Sequence, residues 1–470
     1  MTPAFCPDAL SRAPRTRTRA RLALTRPLRT VNGRATPHVY RRVGSQMPEL
    51  TRQISGWRLP HPRALASLLV IAIAVIVAVA VLMPSDHRDT TASAPAPIAA
   101  SPPQRCAPGS SGAPIADARQ RALGGVLDAA LRAVRSRLHA PAATAAVVVC
   151  GRVVWAGATG VVDLGSKRPA TNRSLFVLNS AAKTFVATMI MQEIQAGHLS
   201  LGTRLSRFYP WLPNARQITV RMLLNMTSGL PDYLYNARID WVMDHQPRHH
   251  WTVDQVLTGL GTGLGPPKFL PGRGFEYSDT NYIVLGAILE HITHTSIEHD
   301  FQGLIARPLG ITSATFVPSA PAKALIAHPY VRSRDGSLVS RWIPGFGVAT
   351  AVWGPVFTDG GLATSSFDLA RFANALFGGR LVDESAVRQM AHIGRGDYGF
   401  GMRDRSFDNH YWLGHRGYFG GFEAEDWTDP SRQLTIAVAT NLQTSGGTPT
   451  STDIWQAITR AYDHQNLGGA

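Results

Sequence analysis

Ser180 and Lys183, within VLNSAAKTFV at 177–186, stand three residues apart. On a helix such a pair shares one face and can touch. A serine hydroxyl is a weak nucleophile until a base takes its proton. Lysine can be that base when burial or neighbouring cations disfavour its ammonium. A helix start adds free backbone N–H groups and a dipole that favours an oxyanion. Lysine is scarce here: Lys167, Lys183, Lys268 and Lys323 are the only four, against 43 arginines. Arginine stays protonated and cannot replace lysine as a base. Two further groups follow in order. Tyr277-Ser278-Asp279 precedes an apolar helix, and His415-Arg416-Gly417 stands at the start of a late strand. On a strand, His415 and Gly417 share one face while Arg416 points to the other.

Elements with matching periodicity surround these residues. Apolar residues at helical spacing predict a helix over Asp117–Leu138, and Ser180–Ala196 reads as a strongly apolar helix. Ile218–Asn225, Asn281–His291 and Ser366–Leu376 are further helices. Ala143–Cys150 and Arg152–Ala156, split by Gly151, read as a β-hairpin. Asp404–Leu413, Gly421–Thr428 and Leu434–Asn441 read as late strands. Strands at both ends with helices between predict one sheet closed by the two termini, plus a helical insertion.

The charge is unevenly distributed. The net charge is +16, but residues 1–63 hold 13 arginines against only Asp8 and Glu49. The basicity therefore belongs to a tail, and a basic nucleic-acid-binding domain is a poor fit. Residues 64–83, ALASLLVIAIAVIVAVAVLM, carry no charge. Twenty helical residues span ~30 Å, the thickness of a bilayer core. Arginine on the N-terminal side places residues 1–63 in the cytoplasm and the rest outside. Cleaved export is the alternative, and Met47 is an alternative start to Met1. Residues 84–115 are rich in Pro, Ala and Ser and read as a semi-rigid stalk. One globular block, 116–465, follows without an internal repeat or second linker. Cys106 and Cys150 share the outer compartment and are either a disulfide or two free thiols.

Other patterns carry less chemistry. Three cysteines cannot build a four-cysteine zinc site. His291, His294 and His299, with Glu290 and Glu298, lack the HExxH spacing of a helical zinc site. His245, His249 and His250 read as a polar loop beside Trp251, and Asp359 before Gly360-Gly361 reads as turn chemistry. No glycine-rich stretch has dinucleotide or phosphate-loop spacing, and no cofactor or metal is expected.

Taken together, the motifs resemble those of the serine β-lactamase and penicillin-binding protein superfamily. The branch is that of class C β-lactamases, D-alanyl-D-alanine carboxypeptidases and related esterases. Besides Ser-x-x-Lys, the resemblance rests on ITVRMLLNMTSGLPDY at 218–233, FEYSDTNYIVLG at 275–286, GGLATSSFDLARF at 360–372 and GHRGYFGGF at 414–422, and it covers about 117–445. It implies a mixed α/β fold: an antiparallel sheet flanked by helices, with a mainly helical subdomain. It also implies that Ser180 is acylated, that Lys183 accepts its proton, and that Tyr277, as a tyrosinate beside Lys183, shares the base role and protonates the leaving group. Gly417 would let substrate lie along the strand, and the N–H groups of Ser180 and Tyr418 would form the oxyanion hole.

Two positions depart from the family pattern. Asp279 stands where many members have Asn, and an ionised carboxylate only accepts hydrogen bonds. His415-Arg416-Gly417 stands where many have Lys-Thr-Gly, and histidine is only partly cationic near neutral pH. The expected function is a membrane-anchored serine hydrolase of the β-lactamase and carboxypeptidase type on the cell-wall side. Its substrate would be a D-Ala-D-Ala peptide, a β-lactam or an ester. The alternatives are an esterase of the same fold, or a non-catalytic wall-binding or penicillin-sensing protein.

Overall fold

The computed structural model describes residues 118–316, 325–343, 347–348, 357–444 and 448–467. The basic tail 1–63, the apolar span 64–83 and the linker 84–115 lie outside the described residues. Among the described residues no helix is long and apolar enough to cross a membrane.

Helix α1 (Ala118–Arg137) leads into β1 (Ala142–Val149) and β2 (Arg152–Gly160). Cys150 and Gly151 turn between them, and both adopt positive φ, +49° and +75°. A two-residue hairpin loop of this hand matches the twist of the strands. A short 3₁₀ turn, Asn179–Ala181, then opens α2 (Ala182–Gln195). The helical subdomain follows, with Val220–Leu224, Ala237–His245, Val253–Leu257 and α3 (Thr280–Thr293). Next comes α4 (Ser366–Phe377), whose first turn is capped by Ser365 Oγ accepting from the Asp368 N–H at 3.1 Å. The chain closes with β3 (Arg403–Phe407), β4 (His410–Phe419), β5 (Phe422–Asp429), β6 (Leu434–Thr440) and α5 (Thr450–Leu467).

The six strands form one antiparallel sheet in the order β3-β4-β5-β6-β1-β2. The early hairpin thus docks on the last strand, with Ala145 opposite Val438, as the sequence pattern predicts. Alternate residues of β1 enter different cores. Ala143, Ala145 and Val147 pack with Leu127 and Leu131 of α1 and Ile454, Trp455 and Ile458 of α5. Ala142, Ala146 and Val148 face the core that holds α2, α3 and α4. Small side chains on this face let α4, which packs on β1 and β6, approach the sheet closely.

Two expectations are corrected. Asp404–Leu413 is not one strand: Asp408 and Asn409 break it with φ of +53° and +62°, making a tight hairpin between β3 and β4. Asp and Asn tolerate this left-handed region better than other side chains, and the flanking apolar alternation hides the turn. In consequence His415-Arg416-Gly417 lies in the second half of β4 rather than at a strand start. The terminal helix α5 was not expected, and its apolar face completes the outer core.

Candidate active site

Asn179, immediately before the nucleophile candidate, is buried and has a φ of +52°. Its Nδ2 donates to the carbonyls of Phe419 and Phe422 at 3.4 and 3.2 Å. Those bonds tie the Ser180 turn to the β4–β5 corner. The approach requires glycine on the strand: a Cβ at Gly417 would lie 2.0 Å from the Leu178 carbonyl oxygen and 2.6 Å from the Ser180 nitrogen. Gly360 also packs closely on this turn: a Cβ there would sit 3.1 Å from Asn179 Cα, a tight contact.

Ser180 and Lys183 meet as the spacing predicts. Lys183 Nζ donates to Ser180 Oγ at 3.1 Å and to the backbone carbonyl of Asp359 at 2.7 Å. It also forms an ion pair with Asp279 Oδ1 at 2.5 Å. The Lys183 side chain has no exposed surface, and that of Asp279 is 11% exposed. The pair is therefore largely shielded from water, where electrostatic contacts are strong and proton positions are sensitive to neighbours.

Tyr277 faces the same point, and the Lys183 ammonium lies 5.3 Å from its ring centroid. Its Oη is buried and interacts with the Ser180 side chain. Burial pushes the phenol well above its ordinary range, and the Asp279 carboxylate adds to the shift; Ser180 and Arg403 only partly oppose it. The expected tyrosinate is therefore corrected: Tyr277 rests as a phenol, because burial first and the Asp279 carboxylate second disfavour its anion. A phenol is a proton donor.

His415 is also corrected. It is buried, with Nδ1 2.8 Å from the Arg416 carbonyl oxygen and Nε2 3.2 Å from Tyr398 Oη. A carbonyl only accepts, so Nδ1 carries the proton and Nε2 accepts from Tyr398. Burial, followed by Lys183 and Arg403, pushes His415 well below the usual histidine range. The imidazole is neutral. The positive charge at this end of the site comes instead from Arg403 at the start of β3, whose guanidinium lies 5.3 Å from the Tyr277 ring centroid and 5.2 Å from that of Tyr398. Arg416 points to the other face, as predicted, and lies 5.1 Å from the centroid of the exposed Tyr418 ring.

Strand β3 pairs with β4 only as far as Arg403 opposite Gly414. The stretch His415–Phe419 thus keeps β5 on one side and has no strand on the other among the described residues. This free edge borders Ser180, and an extended substrate can add to it as a strand would.

Three residues of the site had no signal in the sequence. Asp359 is more than a turn residue: its carbonyl holds Lys183 and its carboxylate accepts from Tyr233 Oη at 2.9 Å. Burial, then Asp279, pushes its carboxyl well above the carboxylate range. Asp232 is likewise pushed up to about 8 by burial and by Asp279. Arg403 arrives from a neighbouring strand, a placement no local motif announces. The Leu-Pro-Asp-Tyr run at 230–233 was noted only as part of a block.

The remaining candidate residues fall outside this cluster. Cys150 is disulfide-bonded, and the other two cysteines, Cys6 and Cys106, lie outside the described residues. Glu290 accepts from the Ile297 N–H at 2.9 Å and Glu298 from the Phe316 N–H at 2.7 Å, so both acids serve local structure. His245 ends a helix and stacks on Trp241 with ring centroids 4.8 Å apart. A cavity of about 570 Å³ bordered by Trp211, Leu230, Pro231 and Leu257 contains none of the catalytic candidates.

Comparison with known proteins identifies the family and the fold. The family model described as Beta-lactamase matches residues 127–460. Esterase EstB of Burkholderia gladioli is 29% identical over 69% of this chain and 91% of its own length. A D-aminopeptidase of Cereibacter sphaeroides is 23% identical over 73% of this chain and 64% of its own. Among solved structures, D-amino acid amidase from Ochrobactrum anthropi SV3 superposes with a TM-score of 0.62 at 22% identity, covering 75% of this chain and all of that one. With the matched family spanning both the nucleophile turn and the strand that faces it, the chain belongs to the beta-lactamase family of serine hydrolase fold.

Proposed function

We propose that this protein is a membrane-anchored serine hydrolase that cleaves esters through an acyl-enzyme on Ser180. The observation that carries the reading is the wholly buried Lys183, with Nζ 3.1 Å from Ser180 Oγ beside a free strand edge. Ser180 attacks the acyl carbon. The N–H groups of Ser180 and Tyr418 receive the oxyanion, Tyr277 protonates the leaving oxygen, and water later releases the acyl group.

The choice of ester is supported by Asp279. Its carboxylate is turned onto Lys183, so the site lacks the amide donor that would take the side-chain carbonyl of a peptide or penicillin. The relation to an esterase over most of its length supports the same choice. The free edge of β4 favours a second reading, a D-amino-acid peptide or β-lactam substrate, because such substrates bring backbone-like amides to a strand. The proposed anchor is the 64–83 span, with the catalytic block outside.

A panel of a short-chain nitrophenyl ester, a chromogenic cephalosporin and a D-Ala-D-Ala peptide, given to the full chain, separates the readings. Preferred turnover of the ester is expected. Preferred turnover of the peptide or cephalosporin selects the second reading. Absence of turnover and of any covalent adduct at Ser180 makes the protein a silent binder.

A further inference from the structure

The hydrolase reading, on which the following rests, needs a base. The resting Lys183 is badly placed to be one by itself. Three oxygens surround its Nζ: Ser180 Oγ, the Asp359 carbonyl and Asp279 Oδ1. An ammonium has three N–H bonds and no lone pair. One proton must leave before the nitrogen can accept another from Ser180. Of the three neighbours, only the carboxylate takes up a proton readily. An asparagine at position 279 would hold the lysine but could not accept its proton.

We propose that Asp279 is the proton reservoir of this site, turning Lys183 into a base by accepting its proton across their direct contact, while Tyr277 acts only as an acid. The exchange is favoured by burial. The Lys183 side chain has no exposed surface and that of Asp279 is 11% exposed, so little water competes across their 2.5 Å contact. The surroundings also direct it. Asp279 is faced by Lys183 from α2, by Asp232, Tyr233 and Tyr235 from the loop at 232–235, by Asp359 from the helix Phe357–Gly360, and by the buried phenols Tyr277 and Tyr398. Asp232 is pushed up to about 8, and Asp359 meets Lys183 through its carbonyl while its carboxyl group is engaged by Tyr233, so Asp279 is the carboxylate in contact with the lysine.

The protons balance over acylation. The Lys183 ammonium gives one proton to Asp279. The resulting amine takes the Ser180 proton as the Ser180 oxygen bonds to the acyl carbon. The acyl–oxygen bond to the leaving group breaks, and Tyr277 gives its proton to the departing alkoxide. The tyrosinate recovers a proton from Lys183, and Asp279 returns its own to the amine. The net change is ester plus serine going to acyl-serine plus alcohol.

A fluorophosphonate probe separates base from acid, because fluoride leaves without needing a proton. With the full chain, Asp279→Asn should slow both probe labelling and turnover of an uncharged ester by ~10²-fold, the scale of a lost general base. Tyr277→Phe should slow ester turnover by a larger factor than probe labelling. Asp279→Glu, which keeps a proton acceptor, should recover part of the loss. Wild-type-rate labelling of a folded Asp279→Asn variant, or labelling slowed as much as turnover in Tyr277→Phe, would overturn the relay alone.

If Asp279→Asn does not fold, the pH profile of wild-type labelling decides. An internal transfer predicts no tenfold-per-unit rise from about pH 7 to about pH 10, with at most one step near the value of about 8 at which Asp232 ionises beside Asp279. Proton loss from a lone lysine to solvent instead predicts a rise of about tenfold per pH unit over that range, and that result overturns the relay. Wild-type protein that resists labelling at Ser180 and leaves every ester intact would overturn the hydrolase reading together with the relay.

Discussion

At the scale of single residues, the site is a set of close approaches that tolerate little change. Ser180→Ala should abolish turnover and probe labelling, with mass spectrometry placing the wild-type adduct on the peptide containing Ser180. Lys183→Ala removes the base and should slow acylation by ~10²-fold or more, and Lys183→Arg should fail to rescue it because arginine keeps its proton. Gly417→Ala tests the geometry rather than the chemistry. A methyl group there collides with the Leu178 carbonyl and the Ser180 nitrogen, so either the strand or the nucleophile turn must move. An activity loss of ~10²-fold with a destabilisation of about 1–3 kcal/mol is expected, measured by ester kinetics and denaturant melts. An active, equally stable Gly417→Ala variant would mean that the strand does not pack on the turn.

At the scale of elements, β5 is unusual because it buries acids on a central strand. Glu423 accepts from the backbone N–H groups of Thr444 and Ser451 at 3.3 and 2.9 Å, and burial pushes it up to about 7. The sign follows from proton linkage. Between the ordinary glutamate value of 4.5 and about 7 the folded state holds a proton that the unfolded state has released. This group therefore makes stability fall as pH rises through that window, and changes nothing above it. Glu423→Gln loses one acceptor at every pH but removes the titration. The difference in thermal midpoint, variant minus wild type, should rise from about pH 4.5 to about pH 7 and then level off. A difference independent of pH would show that Glu423 is ionised in the folded protein.

At the scale of the whole molecule, the one-sided arginine excess before the apolar span determines the orientation we propose. Protease added to intact spheroplasts should remove the catalytic block and spare residues 1–63. Cleavage of the tail with protection of the block would reverse the topology. Because the early hairpin is stapled between β6 and the outer helices, the catalytic block begins and ends on the same sheet.

How much was legible in the sequence depends on the range of each contact. The Ser180–Lys183 pair is a local geometry, since three residues on a helix bring side chains together whatever the rest of the chain does. The hairpin at Cys150-Gly151, α3 and α4 carry their periodicity in their own residues, and the motif order was enough to name the superfamily. Charges and protonation were not legible, because they depend on what lies nearby in space. Histidine at 415 reads as half-charged until burial, Lys183 and Arg403 make it neutral. Tyrosine at 277 reads as a tyrosinate beside lysine until burial, and then the Asp279 charge, keep it a phenol. Asp232, Asp359 and Arg403 join the site from segments more than a hundred residues apart in places, through contacts that carry no spacing rule. Local residues determined which nucleophile and base meet; tertiary packing alone decided which groups hold the protons.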